Sequence, residues 1–310
     1  MDPAKVVLLA SVAIIVVLSA TAFSGTPGDK VIVATTTSTA DTGLMDYLKP
    51  YFEAEYGASL SWVSLGSGQA LAVASRGDAD VLLIHDRERE EQFVSSGNGI
   101  LRVTVFYNDF IIVGPTGDPA NASSHDVKIC LERIANTGNL GDALFVSRGD
   151  DSGTHLLEKR MWGFSGVQGY QNSSWYISAG SGMAATLRLA GELGAYTITD
   201  RATFCRLRGS MGESLKLKVI CEGDAVLLNP YSIVLLNSSR YPNIRHDLAL
   251  EFLLFITSTE GQWLIGNYTV SGQQIFFPIY GNTESIGLPS EDVEVSIIEA
   301  LRTRANEGVA

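Results

Sequence analysis

The sequence predicts an α/β protein of two lobes, one inserted into the other. Three observations carry this expectation. Short apolar runs alternate with stretches of helical spacing along most of the chain. Two longer β-rich segments, "VFYNDFIIVGP" (105–115) and "VLLNPYSIVLLN" (226–237), bracket a second strand–helix set. The 310 residues suffice for two separate cores. Lobe 1 is then expected at 26–113 plus 230–310, and lobe 2 at 114–229.

Residues 6–23, "VVLLASVAIIVVLSATAF", form an almost unbroken apolar run after Lys5. The run ends on Ala20-Thr21-Ala22, the small-residue pattern of a signal cleavage site. Its 18 residues are also just long enough to span a bilayer at about 1.5 Å per residue. Residues 1–25 therefore read as a signal peptide or a membrane anchor, and either one exports the body. With no cysteine at this end, a lipid-anchored lipoprotein is not expected.

"VIVA" (31–34) reads as a strand. "DTGLMDYLKPYFEAEYG" carries Leu44, Leu48, Tyr51 and Phe52 at helical spacing, with a glycine stop at Gly57 and a kink or break expected at Pro50. "SLSWVSL", "QALAVASRG" and "DVLLI" continue the alternation, which suggests mainly parallel strands. "HDRERE" (85–90) reads as a solvated helix start. In the second set, "SSHDVKICLERIANTG" and "GMAATLRLAGELG" read as helices, and "ALFVS", "WYISA" and "AYTIT" as strands. "IRHDLALEFLLFITS" and "STEGQWLIGNY" are helices expected to pack on lobe 1. "SEDVEVSIIEALRTRA" in the tail is one more helix.

Charged residues make up 18% of the chain, apolar ones 45%, and the net charge is -12. That balance argues for a well-buried globular protein and against nucleic acid as a partner. Three cysteines leave two readings open: a Cys205–Cys221 bridge with Cys130 free, or three reduced core thiols. Their spacing suggests no metal site, and His85, His125, His155 and His246 are scattered without ligand spacing. Four glycosylation sequons (Asn121, Asn172, Asn237, Asn267) are compatible with a surface location.

Chemistry concentrates in four strand-to-helix turns: "ATTTSTADTG" (34–43), "LGSGQA" (65–70), "SRGDDSGTH" (147–155) and "SAGSGMA" (178–184). Free N–H groups at a helix start, together with the positive end of the helix dipole, suit an anion. Ser and Thr hydroxyls add neutral donors. Each turn alone is more often an ordinary helix cap. Four of them, two per lobe, point to an anion held between lobes. Arg148 offers a planar, permanently charged fork. One of Asp150 and Asp151 is expected to cap the next helix, and one to brace the guanidinium. Asp151 has a second reading, in which its carboxylate faces the ligand and accepts a hydrogen bond from a protonated oxyanion. The enzyme signatures sought are missing: there is no G-x-S-x-G elbow and no G-x-x-x-x-G-K-[ST] loop.

In order along the chain, "ATTTSTADTGLMDYLKPYFEAEYG", "GSGQAL", "GDADVLLIH", "YNDFIIVGP", "SRGDDSGTH", "AYTITDRATF", "EGDAVLLNPYSIVLLN" and "EGQWLIGNY" resemble the tungstate-binding proteins of ABC uptake systems. The likeness runs from about Val31 to Pro278. It implies a periplasmic-binding-protein-like fold of type II, with two crossing strands, that closes on a tetrahedral dianion. The ligand-binding residues it implies are Thr36, Thr37 and Ser38, of which at most two should face the ligand, then Ser67 and Gly68, then Arg148, Ser152, Gly153 and Thr154. It further implies a non-enzymatic, extracytoplasmic receptor without cofactor. Such a receptor hands tungstate or molybdate to an ABC permease and its ATPase, and meets the membrane through its N-terminal segment if that stays uncleaved. Three alternatives stand beside it: a phosphate receptor of the same fold with Asp151 in the cleft, a ligand-sensing ectodomain, and an enzyme using Asp109, Asp151 or His155.

Overall fold

The computed structural model describes residues 29–307, so the apolar run at 6–23 lies outside the described residues. The chain forms two compact units. Among the described residues, one comprises 29–107, Pro230–Tyr268 and 276–307; the other comprises Asn108–Asn229 and Thr269–Ile275.

The first unit opens with β1 (Lys30–Thr36), α1 (Thr37–Asp41), α2 (Leu44–Tyr56), β2 (Ser59–Leu65), α3 (Ser67–Ala74), β3 (Val81–Ile84), α4 (Arg87–Ser95) and β4 (Gly99–Pro115). β1 pairs in parallel with both β2 and β3. A strand flanked on both sides and covered on both faces must be apolar along its length, and Val31, Val33 and Ala34 are fully buried. α2 buries Leu44, Met45, Leu48 and Phe52, each contributing about 1.5–3 kcal/mol through burial. Tyr51, expected on that face, is 40% exposed. The helix also runs unbroken through Pro50 and stops at Gly57, whose φ of 69° suits a residue without a side chain. α4 departs from the solvated reading, because Glu90 is fully buried against Arg102.

In the second unit, α5 (Val127–Asn139), β5 (Phe145–Ser147), α6 (Gly153–Ser165), β6 (Tyr176–Ser178), α7 (Met183–Leu193), β7 (Thr197–Asp200), α8 (Arg201–Met211) and β8 (Leu217–Cys221) lead to β9 (Leu228–Leu236). Phe145, Trp162, Tyr170, Trp175 and Tyr196 fill its core. β4 pairs antiparallel with β7 and β8 here. Gly114 permits this, because a Cβ there would sit 2.3 Å from the Tyr196 ring. The sequence reading named neither α8 nor β8.

Back in the first unit, β3 pairs antiparallel with β9. Following β9 come α9 (His246–Ile256) and α10 (Thr259–Asn267), then the hairpin β10 (Thr269–Val270) and β11 (Gln273–Gln274), which belongs to the second unit, and, in the first unit again, β12 (Phe277–Pro278) and α11 (Asp292–Glu307). Only part of the strand pairing is parallel, so the main sheet is mixed rather than mainly parallel. α9 packs against β1 and α2. α11 is tied down by Arg302, which donates to the Leu254 carbonyl at 3.0 Å and to the Thr257 hydroxyl at 2.9 Å. Just ahead of α11, Glu291 accepts from Arg102 at 2.6 Å and from the Thr104 backbone at 2.6 Å. The tail is therefore built into the first unit.

Of the two readings left open for the cysteines, the structure has the second: all three are buried free thiols. The neighbour of Cys221 is Cys130 rather than Cys205, and that thiol contact, with burial, pushes the Cys130 pKa up. α5 and β8 bring the pair together within one core, a long-range contact that spacing along the chain does not reveal.

Candidate functional site

In the second unit, β5 and β6 run in parallel with Ser147 opposite Ser178, so the chain leaves both strands at the same end. The two turns that follow are fastened to each other. Ala179 N–H donates to the Ser147 carbonyl at 2.9 Å, and Ser181 N–H to the Arg148 carbonyl at 3.3 Å. Gly149 makes this contact possible: its φ is 66°, and a Cβ there would lie 1.8 Å from the Ser178 hydroxyl. The turns 148–152 and 179–182 thus form one surface carrying the N-termini of α6 and α7. Ser152 caps α6, accepting from His155 N–H at 3.4 Å. α7 starts behind Gly182 without a side-chain cap, so the N–H groups of its first turn are not answered by a cap residue.

Arg148 is held within this turn. Its Nε donates to Asp150 at 2.8 Å, and its Nη1 to the Thr154 hydroxyl at 3.3 Å. Burial tends to raise the Asp150 pKa, but hydrogen bonds from Ser152 and the charge of Arg148 outweigh this and hold it below the usual carboxylate range. Asp150 is therefore the brace, one of the two aspartates expected in that role. The cap expected of the other aspartate is supplied by Ser152 instead.

Asp151 has a different place. Its side chain is 82% exposed and pairs with Lys159 Nζ at 2.9 Å. Its backbone, at φ 55°, turns its N–H onto His155 Nδ1 at 2.9 Å. A donor at Nδ1 requires the neutral ring with its proton on Nε2. Burial first, then the charge of Lys159, keeps the His155 pKa below its usual value. Thr154 is buried and Gly153 exposed at the helix start.

In the first unit, β1 and β2 are parallel with Thr36 opposite Leu65, so their following turns also share one end. Thr36 is buried and Thr37 exposed. The side chain of Ser38 lies outside the described residues. Beneath them, Thr39 donates its hydroxyl to the Thr36 carbonyl at 2.8 Å, and Thr35 donates to the Leu83 carbonyl at 2.8 Å. The first bond fixes the turn on itself, and the second ties it to β3. Ser67 and Gly68 open α3 behind Gly66. A Cβ on Gly68 would sit 3.0 Å from Arg89 Nη1. Arg89, in "HDRERE", thus brings a cation to the Ser67–Gly68 turn that the sequence reading passed over.

The turns therefore offer backbone N–H groups, hydroxyls and a guanidinium, a donor set for an oxyanion. Of the groups an enzyme would use, Asp109 is 4% exposed and locked bidentately to Arg201 at 2.7 and 2.6 Å. Asp151 is paired with Lys159, and the Nδ1 of His155 is engaged by the backbone.

Residues 21–260 match the family model of the PBP superfamily domain. The chain is 42% identical over 247 residues to a putative ABC transporter anion-binding protein of Haloferax volcanii, covering 79% of this chain and 71% of that protein. It is 41% identical to the tungstate-binding protein TupA of Peptoclostridium acidaminophilum, covering 77% and 81% of the two chains. Among solved structures, the tungstate-binding protein TupA of Desulfovibrio alaskensis G20 superposes with a TM-score of 0.77 at 39% identity, over 81% of this chain and 99% of that one. The matched range 21–260 takes in both sets of turns, and the chain belongs to the PBP superfamily, within the family of tungstate-binding proteins of ABC transporters.

Proposed function

We propose that the chain is an extracytoplasmic solute-binding protein that captures tungstate for an ABC transporter, with molybdate as the nearest competitor. The observation that carries this reading is the Arg148 turn, which joins a braced guanidinium to two helix N-termini. In this proposal Arg148, Ser152, Gly153 and Thr154 act with Thr36, Thr37, Ser38, Ser67 and Gly68 to replace the water shell of the ion. Charge-assisted hydrogen bonds in a site shielded from water are the strong kind. The pairing of Asp151 with Lys159 favours a fully deprotonated dianion over hydrogen phosphate, because the carboxylate expected to accept a hydrogen bond from a protonated oxyanion is engaged by that lysine. The ATPase and permease of the transporter are the expected partners. The apolar run at 6–23 either is removed on export or holds the receptor at the outer membrane face.

Calorimetric titration of the chain, stripped of anions, with tungstate, molybdate, sulfate and phosphate in one buffer tests the proposal. Tight tungstate binding with sulfate and phosphate silent is expected. Phosphate binding most tightly would overturn it.

A further inference from the structure

Beneath the Arg148 turn lies a buried acid. Glu158 is 1% exposed and shares the inward face of α6 with Met161 and Trp162. Its Oε1 accepts from the Tyr176 hydroxyl at 2.5 Å. The Ser147 hydroxyl and the backbone N–H of Arg148 both lie beside the same carboxyl and hold its pKa down against burial. Ser147 is fully buried, and its hydroxyl, next to the carboxyl, makes no hydrogen bond of good geometry among the described residues. The end of β5, the start of β6 and the middle of α6 thus converge on one carboxyl. The backbone it holds is the one from which the anion-reading guanidinium projects.

We propose that Glu158 is a positioning residue for anion capture, pinning the Ser147–Arg148 corner from beneath, and that it does so as the neutral acid while the anion is bound. This rests on the oxyanion reading of the Arg148 turn. Among the described residues no cation forms an ion pair with the carboxyl to balance a charge. Lys159, next along the helix, is directed to Asp151, and the Arg148 guanidinium to Asp150. The other ionisable groups facing it are Tyr176 on β6 and Tyr170 in the turn before it. Burial lifts the Glu158 pKa to about 7, against the hydrogen bonds it accepts. A dianion bound nearby in the same low-dielectric region disfavours a second negative charge and lifts it further. Anion binding must then take up a proton when the pH lies between the free and bound values, and affinity must fall as pH rises through that window.

Tungstate is a dianion throughout the range needed, so the proton is read on the protein. The test is calorimetry on the full chain with tungstate at pH 7 to 8.5, in two buffers of different ionisation heat, for wild type, Glu158→Gln and Glu158→Ala. Glutamine keeps an acceptor for Tyr176 and the Arg148 amide but cannot ionise. Wild type should take up a fraction of a proton per tungstate and lose on the order of tenfold in affinity across this range. E158Q should take up none and hold its affinity flat. E158A should bind more weakly than E158Q at every pH. Proton uptake that persists unchanged in E158Q, or tungstate binding by wild type without uptake, would overturn this inference and leave the receptor reading standing. Absence of tungstate binding by wild type would overturn both.

Discussion

Replacing Arg148 by alanine is the perturbation whose outcome the structure specifies best. Nε and Nη1 are committed within the turn, to Asp150 and Thr154. Among the described residues Nη2 is the guanidinium nitrogen left to a ligand. A hydrogen bond involving an ionised group contributes about 1.5–3 kcal/mol, which is about 10- to 150-fold in Kd for tungstate. The loss should sit at the upper end, because removing Arg148 also leaves the Asp150 carboxylate unneutralised beside an anion. Arg148→Lys keeps the charge but not the fork, so it cannot hold Asp150 and the ligand in the same geometry, and it should fall between. Ser67→Ala, removing one neutral hydroxyl, should cost about 0.5–1.5 kcal/mol, or about 2- to 12-fold. Folding stability should change by no more than about 1 kcal/mol for Arg148→Ala, since the Asp150 pair is partly exposed. The assay is calorimetric titration with thermal unfolding of the same samples. An Arg148→Ala Kd within twofold of wild type, in a protein that still binds tungstate, would show that the guanidinium serves only its ion pair and would refute the site.

Further outcomes follow from other parts of the fold. Gly149→Ala must clear the Ser178 hydroxyl and adopt a positive φ, so it should part the two turns and weaken tungstate binding by at least tenfold, whereas Gly166→Ala, also at positive φ but in open space, should affect only stability. Glu251, 2% exposed with one oxygen lacking a hydrogen-bond partner, has its pKa lifted to about 7 by burial and Asp247. The folded state then holds this proton more tightly than the unfolded one, so stability is lost as pH rises from about 4.5 to 7. Glu251→Gln should recover about 1–3 kcal/mol at pH 8 and nothing near pH 4.5, as read by denaturant titration. Glu291→Ala leaves buried Arg102 short of a partner and should destabilise the first unit by about 3–5 kcal/mol. A loss under 1 kcal/mol would mean that the tail is not anchored there.

Much of this was legible in local pattern. The runs 31–34, 81–84 and 145–146 are apolar because their strands are largely buried, and several of the turns that follow are rich in glycine and hydroxyl residues where helices begin. Pairing partners were not legible. β3 meets β9 and Cys130 meets Cys221 only through the tertiary fold, and no local signal distinguishes an antiparallel partner from a parallel one. Buried acids were the other blind spot. Glu90 and Glu158 sit among polar neighbours on their helices, and charge alone suggests a solvated face. The counter-signal for Glu158 was its place in the spacing Thr154, His155, Glu158, Met161, Trp162, which is that of a buried stripe. At the Arg148 turn, composition announced an anion site but not the division of labour between the aspartates. That division depends on the positive φ of Asp151, which turns its side chain toward Lys159 and leaves Asp150 to the guanidinium.

The most direct test of the central claim is a crystal structure of the tungstate complex, with diffraction collected at the tungsten absorption edge. The account predicts a single strong anomalous peak whose oxygens lie within about 3 Å of the Arg148 guanidinium and of N–H donors at the start of α6. A peak away from the Arg148 turn, with that turn empty, would contradict it.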